Sequence, residues 1–225
     1  MPNFFYLTLD TTPAANPMIN INGGATFATN VLADLTISTS DTDKTGYQMK
    51  IWGNVDKTYD VNIQDTEAAS VWITYNNSKQ IKLATGDGTK TINLKIRDDV
   101  YNESAVVSDT INLDTTIPAV SVTSADVTKI SKQAGKNAAS FSFSVDKAFV
   151  EYKVKVVSST GAAENTGTTI AIAGGSTNTS GTGSYPSGTP IIVTIKGSDL
   201  ESASSGDGQK IIKVFVKDAS GKWSA

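Results

Sequence analysis

The sequence predicts an all-β protein built as two similar sandwiches in tandem, the second without its last strand. Three observations carry that reading. Apolar residues recur with a period of two in short runs bounded by Gly, Asn, Asp, Ser and Pro. Two longer segments each occur twice: "LTLDTTPAANP" at 7–17 matches "INLDTTIPAVS" at 111–121, and "DGTKTINLKIRDDVYNESA" at 87–105 matches "DGQKIIKVFVKDASGKWSA" at 207–225. No window of helical length has a 3.6-residue period.

The first match sets an offset of 104 and the second an offset of 120. The difference of 16 falls in a longer Gly/Ser/Thr insert of the second copy, "GGSTNTSGTGSYPSGTP". In the first copy, strand A is expected near 17–22, B near 31–39 and C near 46–53. A D region follows near 71–75, then E near 79–84, F near 89–98 and G near 105–113. Strand F shows the pattern most clearly, with Ile92, Leu94 and Ile96 inward and Thr91, Asn93, Lys95 and Arg97 outward. In the second copy, A is expected near 119–123 and B near 139–145, where Phe141, Phe143 and Val145 alternate with serines. C follows near 149–157, with Val150, Tyr152, Val154 and Val156 inward, then D near 168–173, E near 190–196 and F near 209–218. Residues 173–189 read as an exposed mobile loop with Tyr185 its one aromatic, and "DLESASSGDG" as a helical turn before F. About seven alternating strands per hundred residues describe an immunoglobulin-like β-sandwich. The domains are therefore an arm at 1–10, a first sandwich at 11–115 and a second at 116–225.

Composition excludes several function classes. The formal charge of -3 is spread along the chain with no basic block, so neither nucleic acid nor an anionic membrane is an expected partner. With no Cys and no His, disulfides, thiol nucleophiles and the usual general bases and transition-metal ligands are absent. No elbow or SxxK-type motif accompanies a Ser or Thr, and no Lys and helix follow the Gly-rich stretches in P-loop spacing, so catalysis is not expected. The start carries no basic n-region, long apolar run or cleavage site, so no export signal is read from it, and no segment has the length of a membrane span.

Calcium is the one cofactor the residues suggest. Asp41 and Asp43 in the B–C loop, and Asp98, Asp99, Asn102 and Glu103 in the F–G turn, offer oxygen-only donors for a hard cation. Neither group has EF-hand spacing, and turn formation by Asp and Asn is the preferred reading, leaving no metal site assigned. Trp52, Trp72 and Trp223 are candidate sugar platforms, with packing preferred.

The "LDTT.P" junction, the "MKIWG" strand and the "DGTKTINLKIRDDVYNESA" strand and turn resemble tandem bacterial immunoglobulin-like repeats. Such repeats occur in bacterial surface proteins and bacteriophage virion proteins, and the resemblance implies a stalk, decoration or adhesion module, in some cases with affinity for cell-surface polysaccharide. Members of such arrays end after strand G, whereas this sequence reaches Ala225 before it.

Strand F would then be an open edge, a template for pairing with another chain. The segment "FFYLTL" at 4–9 aligns with "SDTINL" at 108–113, the G strand of the first copy. Phe5, Leu7 and Leu9 would face one way, and Phe4, Tyr6 and Thr8 the other. The expectation is head-to-tail strand donation, residues 3–9 of one protomer completing the second sandwich of another. Self-completion is disfavoured, since the arm leaves the first sandwich opposite the second. Ile211 and Phe215, outward on F where the first copy has Thr91 and Lys95, are read as further interface residues. Two other readings of the ends stand beside this: a fragment whose last strand lies beyond the cut, and an arm docked on its own first sandwich.

The expected function is a structural virion protein (capsid decoration, fibre or tail appendage) whose partners are further copies or other virion proteins. The alternatives are an adhesion module for host cell-surface polysaccharide and a fragment of a secreted adhesin on the bacterial cell surface.

Overall fold

The alternating segments form strands because each buries one row of β-branched or aliphatic side chains and leaves a polar row in water. A computed structural model describes residues 3–225; residues 1 and 2 of the expected arm lie outside the described residues. The chain divides into two units between Thr115 and Thr116.

The first unit comprises β1 (Met18–Ile21), β2 (Phe27–Ala28), β3 (Leu32–Ser38), β4 (Gln48–Gly53), β5 (Ile73–Thr74), β6 (Ser78–Lys82), β7 (Gly88–Arg97) and β8 (Val107–Leu113). One sheet has the order β1-β3-β6 and the other β2-β8-β7-β4-β5. All pairings are antiparallel except that of β2, which runs parallel to β8. This is an immunoglobulin-like sandwich, closed on one side by β8. Its core takes Ile19 and Ile21 from β1, Leu35 and Ile37 from β3, Ile51 from β4, Ile92, Leu94 and Ile96 from β7, and Ile111 and Leu113 from β8. The inward side of β7 is the one the alternation predicts. Sequence reading did not separate β2, which is only two residues long.

The second unit comprises β9 (Val120–Val122), β10 (Ala138–Val145), β11 (Phe149–Val157), β12 (Thr168–Thr169), β13 (Ser180–Tyr185), β14 (Ile191–Lys196), α1 (Gly197–Ala203) and β15 (Ile211–Lys217). One sheet is β14-β10-β9; in the other, β11 pairs with β12, β13 and β15. The core holds Phe143, Val145, Phe149, Tyr152, Val154, Val193, Val214 and Val216. On β11, Phe149 is buried and Val150 exposed, reversing the expectation for Val150, at a register shift between Phe149 and Glu151.

Residues 173–189 depart most from expectation. Rather than a free loop, they contain β13, paired to β11 through Thr182↔Glu151 and Gly181↔Tyr152. Tyr185 stacks on Phe149 with ring centroids 4.7 Å apart and meets Tyr152 edge-on at 5.4 Å. The glycines that suggest a loop make room for these rings: a Cβ on Gly181 would lie 2.6 Å from the Tyr152 ring and 2.5 Å from the Tyr185 hydroxyl. The preceding turn is pinned by Asp199 of α1, whose buried carboxylate accepts the Gly174 N–H at 2.6 Å and the Ser176 N–H at 2.9 Å.

Candidate functional site

The two F–G turns are duplicates at the level of hydrogen bonds. In the first unit, Asp98 Oδ1 accepts the N–H groups of Val100 and Asn102 at 3.0 and 2.8 Å. Ser104 then donates its N–H to the Ile96 carbonyl at 2.8 Å and accepts the Ile96 N–H on Oγ at 3.1 Å. In the second unit, Asp218 Oδ1 accepts the Ser220 hydroxyl and the Lys222 N–H at 2.7 and 2.9 Å. Ser224 pairs with Val216 through the same two bonds, again at 2.8 and 3.1 Å. Carboxylates in such turns satisfy backbone donors that would otherwise be stranded.

Beyond this shared turn the units differ. The far edge of β7 is covered by β8 over Gly88–Leu94. Among the described residues, no strand pairs with β15 on the side away from β11. Equivalent side chains register the difference: Ile92 is fully buried, whereas Ile212 is only half-buried. Both sheets are open here onto a groove of about 850 Å³, lined by Val122, Val127, Phe141, Ile195, Ile212 and Val214 among others. Phe141 faces inward as its alternation requires, yet it stays half-buried, because it lines this open groove. The contributions of Val127 and Ile130 were missed in the sequence, since they sit in a polar stretch without periodicity.

The residues expected to fill such a groove are in solvent in the single chain. Phe4, Phe5, Tyr6, Leu7 and Leu9 are between 65% and 91% exposed, and no strand forms before Met18 among the described residues. Phe4 and Tyr6 meet edge-on at 5.8 Å. Where the arm reaches the body of its unit, the Asp10 carbonyl accepts the Asn102 amide at 3.3 Å.

The reading of Phe215 as an outward contact is corrected. Its side chain is fully buried, beneath the ammonium groups of Lys213 and Lys155 at 5.1 and 5.9 Å from the ring centroid. The 158–167 segment holds those lysines: Lys213 donates to the Thr160 and Ala162 carbonyls and Lys155 to the Glu164 carbonyl. Ile211, beside it, is half-buried.

The candidate calcium ligands converge only in part. Asp41 Oδ2 accepts the Ala15 N–H and the Tyr47 hydroxyl, both at 3.1 Å, and the Thr39 hydroxyl at 3.2 Å. Burial, the Asp41 hydrogen bond, and then the charges of Asp41, Asp98 and Asp99 push the Tyr47 hydroxyl up to about 12. Asp43 accepts the Thr45 N–H, and Asp98 closes its own turn. Among the described residues, no group of three or more acidic, His or Cys side chains is placed to hold a metal ion.

The tryptophans are engaged in packing. Trp52 is buried, Trp72 lies under Lys50 and Arg97 at 4.9 and 4.5 Å, and Trp223 under Lys153 and Lys217 at 4.6 and 5.7 Å. Among the described residues, no helix is long and apolar enough to cross a membrane.

No family model matches the chain, and no curated protein matches it, so the resemblance to bacterial immunoglobulin-like repeats stands on sequence motifs alone. Among solved structures, the chain is similar to fibronectin(III)-like modules of CbhA from Clostridium thermocellum, at 9% identity and TM-score 0.40, covering 92% of this chain and 90% of that one. It is also similar to the D00-D0 domain of intimin, at 16% identity and TM-score 0.32, covering 92% and 96%. A third likeness is to chitinase ChiA74 from Bacillus thuringiensis, at 17% identity and TM-score 0.30, covering 92% of this chain and 30% of that one. These likenesses carry no argument about partner or activity.

Proposed function

We propose that this chain is a non-catalytic structural module of a surface assembly, a bacteriophage virion decoration, fibre or tail appendage. Its copies join head to tail when residues 3–9 of one enter the open edge of the next copy's second sandwich. The observation that carries the reading is the coincidence in one chain of an exposed apolar segment and an unfilled groove of its kind. A contiguous apolar segment in water and an unpaired strand edge are each unfavourable alone, and each is relieved by the other. The virion setting is supported by the resemblance of the repeat motifs.

The experiment is a titration of a synthetic peptide of residues 3–16 into the chain lacking residues 3–9. Saturating peptide is expected to raise the melting temperature by about 5 °C or more, since a strand that binds only the folded groove stabilises by mass action. An unchanged melt contradicts strand acceptance. Neighbouring genes test the setting: capsid or tail genes support a virion protein, and a long exported reading frame contradicts it.

A further inference from the structure

The chain contains its own template for what fills the groove. In the first unit β7 and β8 pair as Gly88↔Leu113, Lys90↔Ile111, Ile92↔Asp109 and Leu94↔Val107. The seven residues of β8 correspond at the 104 offset to residues 3–9, and Gly88–Leu94 at the 120 offset to Gly208–Val214. The local geometry of the edge carries over as well. Lys90 Nζ donates to the Thr85 carbonyl at 3.3 Å, and Lys210 Nζ to the Ser205 carbonyl at 3.1 Å. Gly88 and Gly208 both hold positive φ, 121° and 126°, a backbone state that favours glycine. The stretch Gly208–Val214, which enters β15 at Ile211, thus repeats the edge of Gly88–Leu94, and among the described residues no strand pairs with it on the side away from β11.

We infer, resting on the strand-donation reading above, that the arm of a second copy lies antiparallel to β15 and the three residues before it in a single register. Asn3 stands opposite Val214, Phe5 opposite Ile212, Leu7 opposite Lys210 and Leu9 opposite Gly208, and donor Thr11 closes onto acceptor Asp207. Leu7 and Leu9 take the places of Ile111 and Leu113, which are 2% and 1% exposed in the first unit. Phe5 takes the place of Asp109, whose carboxylate accepts the Ile21 N–H at 2.8 Å. The second unit presents Val122, Val127 and Phe141 to its groove, an apolar seat that suits a phenyl ring. A slip of one residue would turn Phe4, Tyr6 and Thr8 inward, and a slip of two would take Leu9 off the glycine.

The register has a lock at its end. In the first unit the Thr115 N–H and hydroxyl both bond Asp87 Oδ1, at 2.8 and 2.6 Å. The same offsets convert that pair into Thr11 of the donor and Asp207 of the acceptor. Asp207 stands exposed at the mouth of the groove, and Thr11 is exposed in the single chain. Two donors converge on one carboxylate oxygen only when the strand is seated in this register.

The chain has no cysteine, so introduced thiols report without background. Chains carrying Phe4→Cys and Lys213→Cys singly are mixed and oxidised, against a control mixture of Phe4→Cys with Ile211→Cys. Directly opposed residues stand about 4.5–5.5 Å apart at Cα, within disulfide reach, whereas residues offset by two stand at about 7–8 Å. Covalent dimers are expected from the first mixture and not from the second. Dimers from the control alone overturn the register and leave strand donation standing. No dimers from either mixture, while the intact chain still assembles and the arm-deleted chain does not, also overturn the register. An intact chain that stays monomeric overturns the reading beneath it. A Phe4→Cys/Lys213→Cys double variant that links within one chain at high dilution overturns the second copy as occupant. Asp207→Ala is expected to weaken association on the order of tenfold; unchanged association overturns the lock.

Discussion

Ile92 and Ile212 occupy equivalent positions on duplicated strands, and their different burial makes a paired experiment possible. Ile92→Ala removes a side chain packed on all sides and is expected to cost about 2–5 kcal/mol of stability. Ile212→Ala in the arm-deleted chain is expected to cost clearly less, because the groove already exposes that side chain; in the assembled protein its cost rises toward the Ile92 value. Denaturant unfolding of these variants beside their intact and arm-deleted parents measures this. Asp218 is a second residue-scale test. Burial raises its pKa, but hydrogen bonds from Ser220 and Lys222 and the Lys147 ammonium 3.2 Å away outweigh burial, and the net shift is downward. A carboxyl with a lower pKa folded than unfolded stabilises the fold above the unfolded value, about 3.9, and that contribution is lost as pH falls through the folded value. Asp218→Asn is therefore expected to lower stability at pH 7 by about 1–3 kcal/mol and to flatten the acid limb below about pH 4. Wild-type acid sensitivity in the variant contradicts this.

At the scale of elements, what could be read from the sequence follows a physical rule. Strands that bury one face alternate in sequence, so β7 and β10 were legible from Ile92 to Ile96 and from Phe143 and Val145. Elements stabilised mainly from outside were not. β13 is Gly- and Ser-rich because the Tyr152 ring of β11 and the ring of its own Tyr185 lie over Gly181, and a small-residue strand carries no alternation. Phe215 looked outward by parity, and no local pattern announces that lysines tied to a distant loop cover it. The open groove was legible only through comparison of the copies: among the described residues no counterpart of β8 pairs with β15. Hydrogen exchange tests this edge directly. Amides of Gly208–Val214 that point away from β11 are expected to exchange rapidly in the arm-deleted chain and to gain protection in the assembled protein. Equal exchange in both states contradicts pairing along β15.

At the scale of the whole molecule, the proposed donor and acceptor are different surfaces of one chain, so strand donation between copies would be heterologous and would either close into a ring or propagate as a filament. Both sandwiches share the turns at Asp98 and Asp218, while β7 is flanked by β8 and, among the described residues, β15 pairs with β11 alone. Sedimentation velocity of the intact chain beside the chain without residues 3–9, over a hundredfold range of concentration, tests this most directly. The intact chain is expected to populate species larger than the 23.6 kDa monomer as concentration rises, with the shortened chain monomeric throughout. Identical sedimentation of the two proteins, whether both monomeric or both assembled, contradicts assembly through the arm.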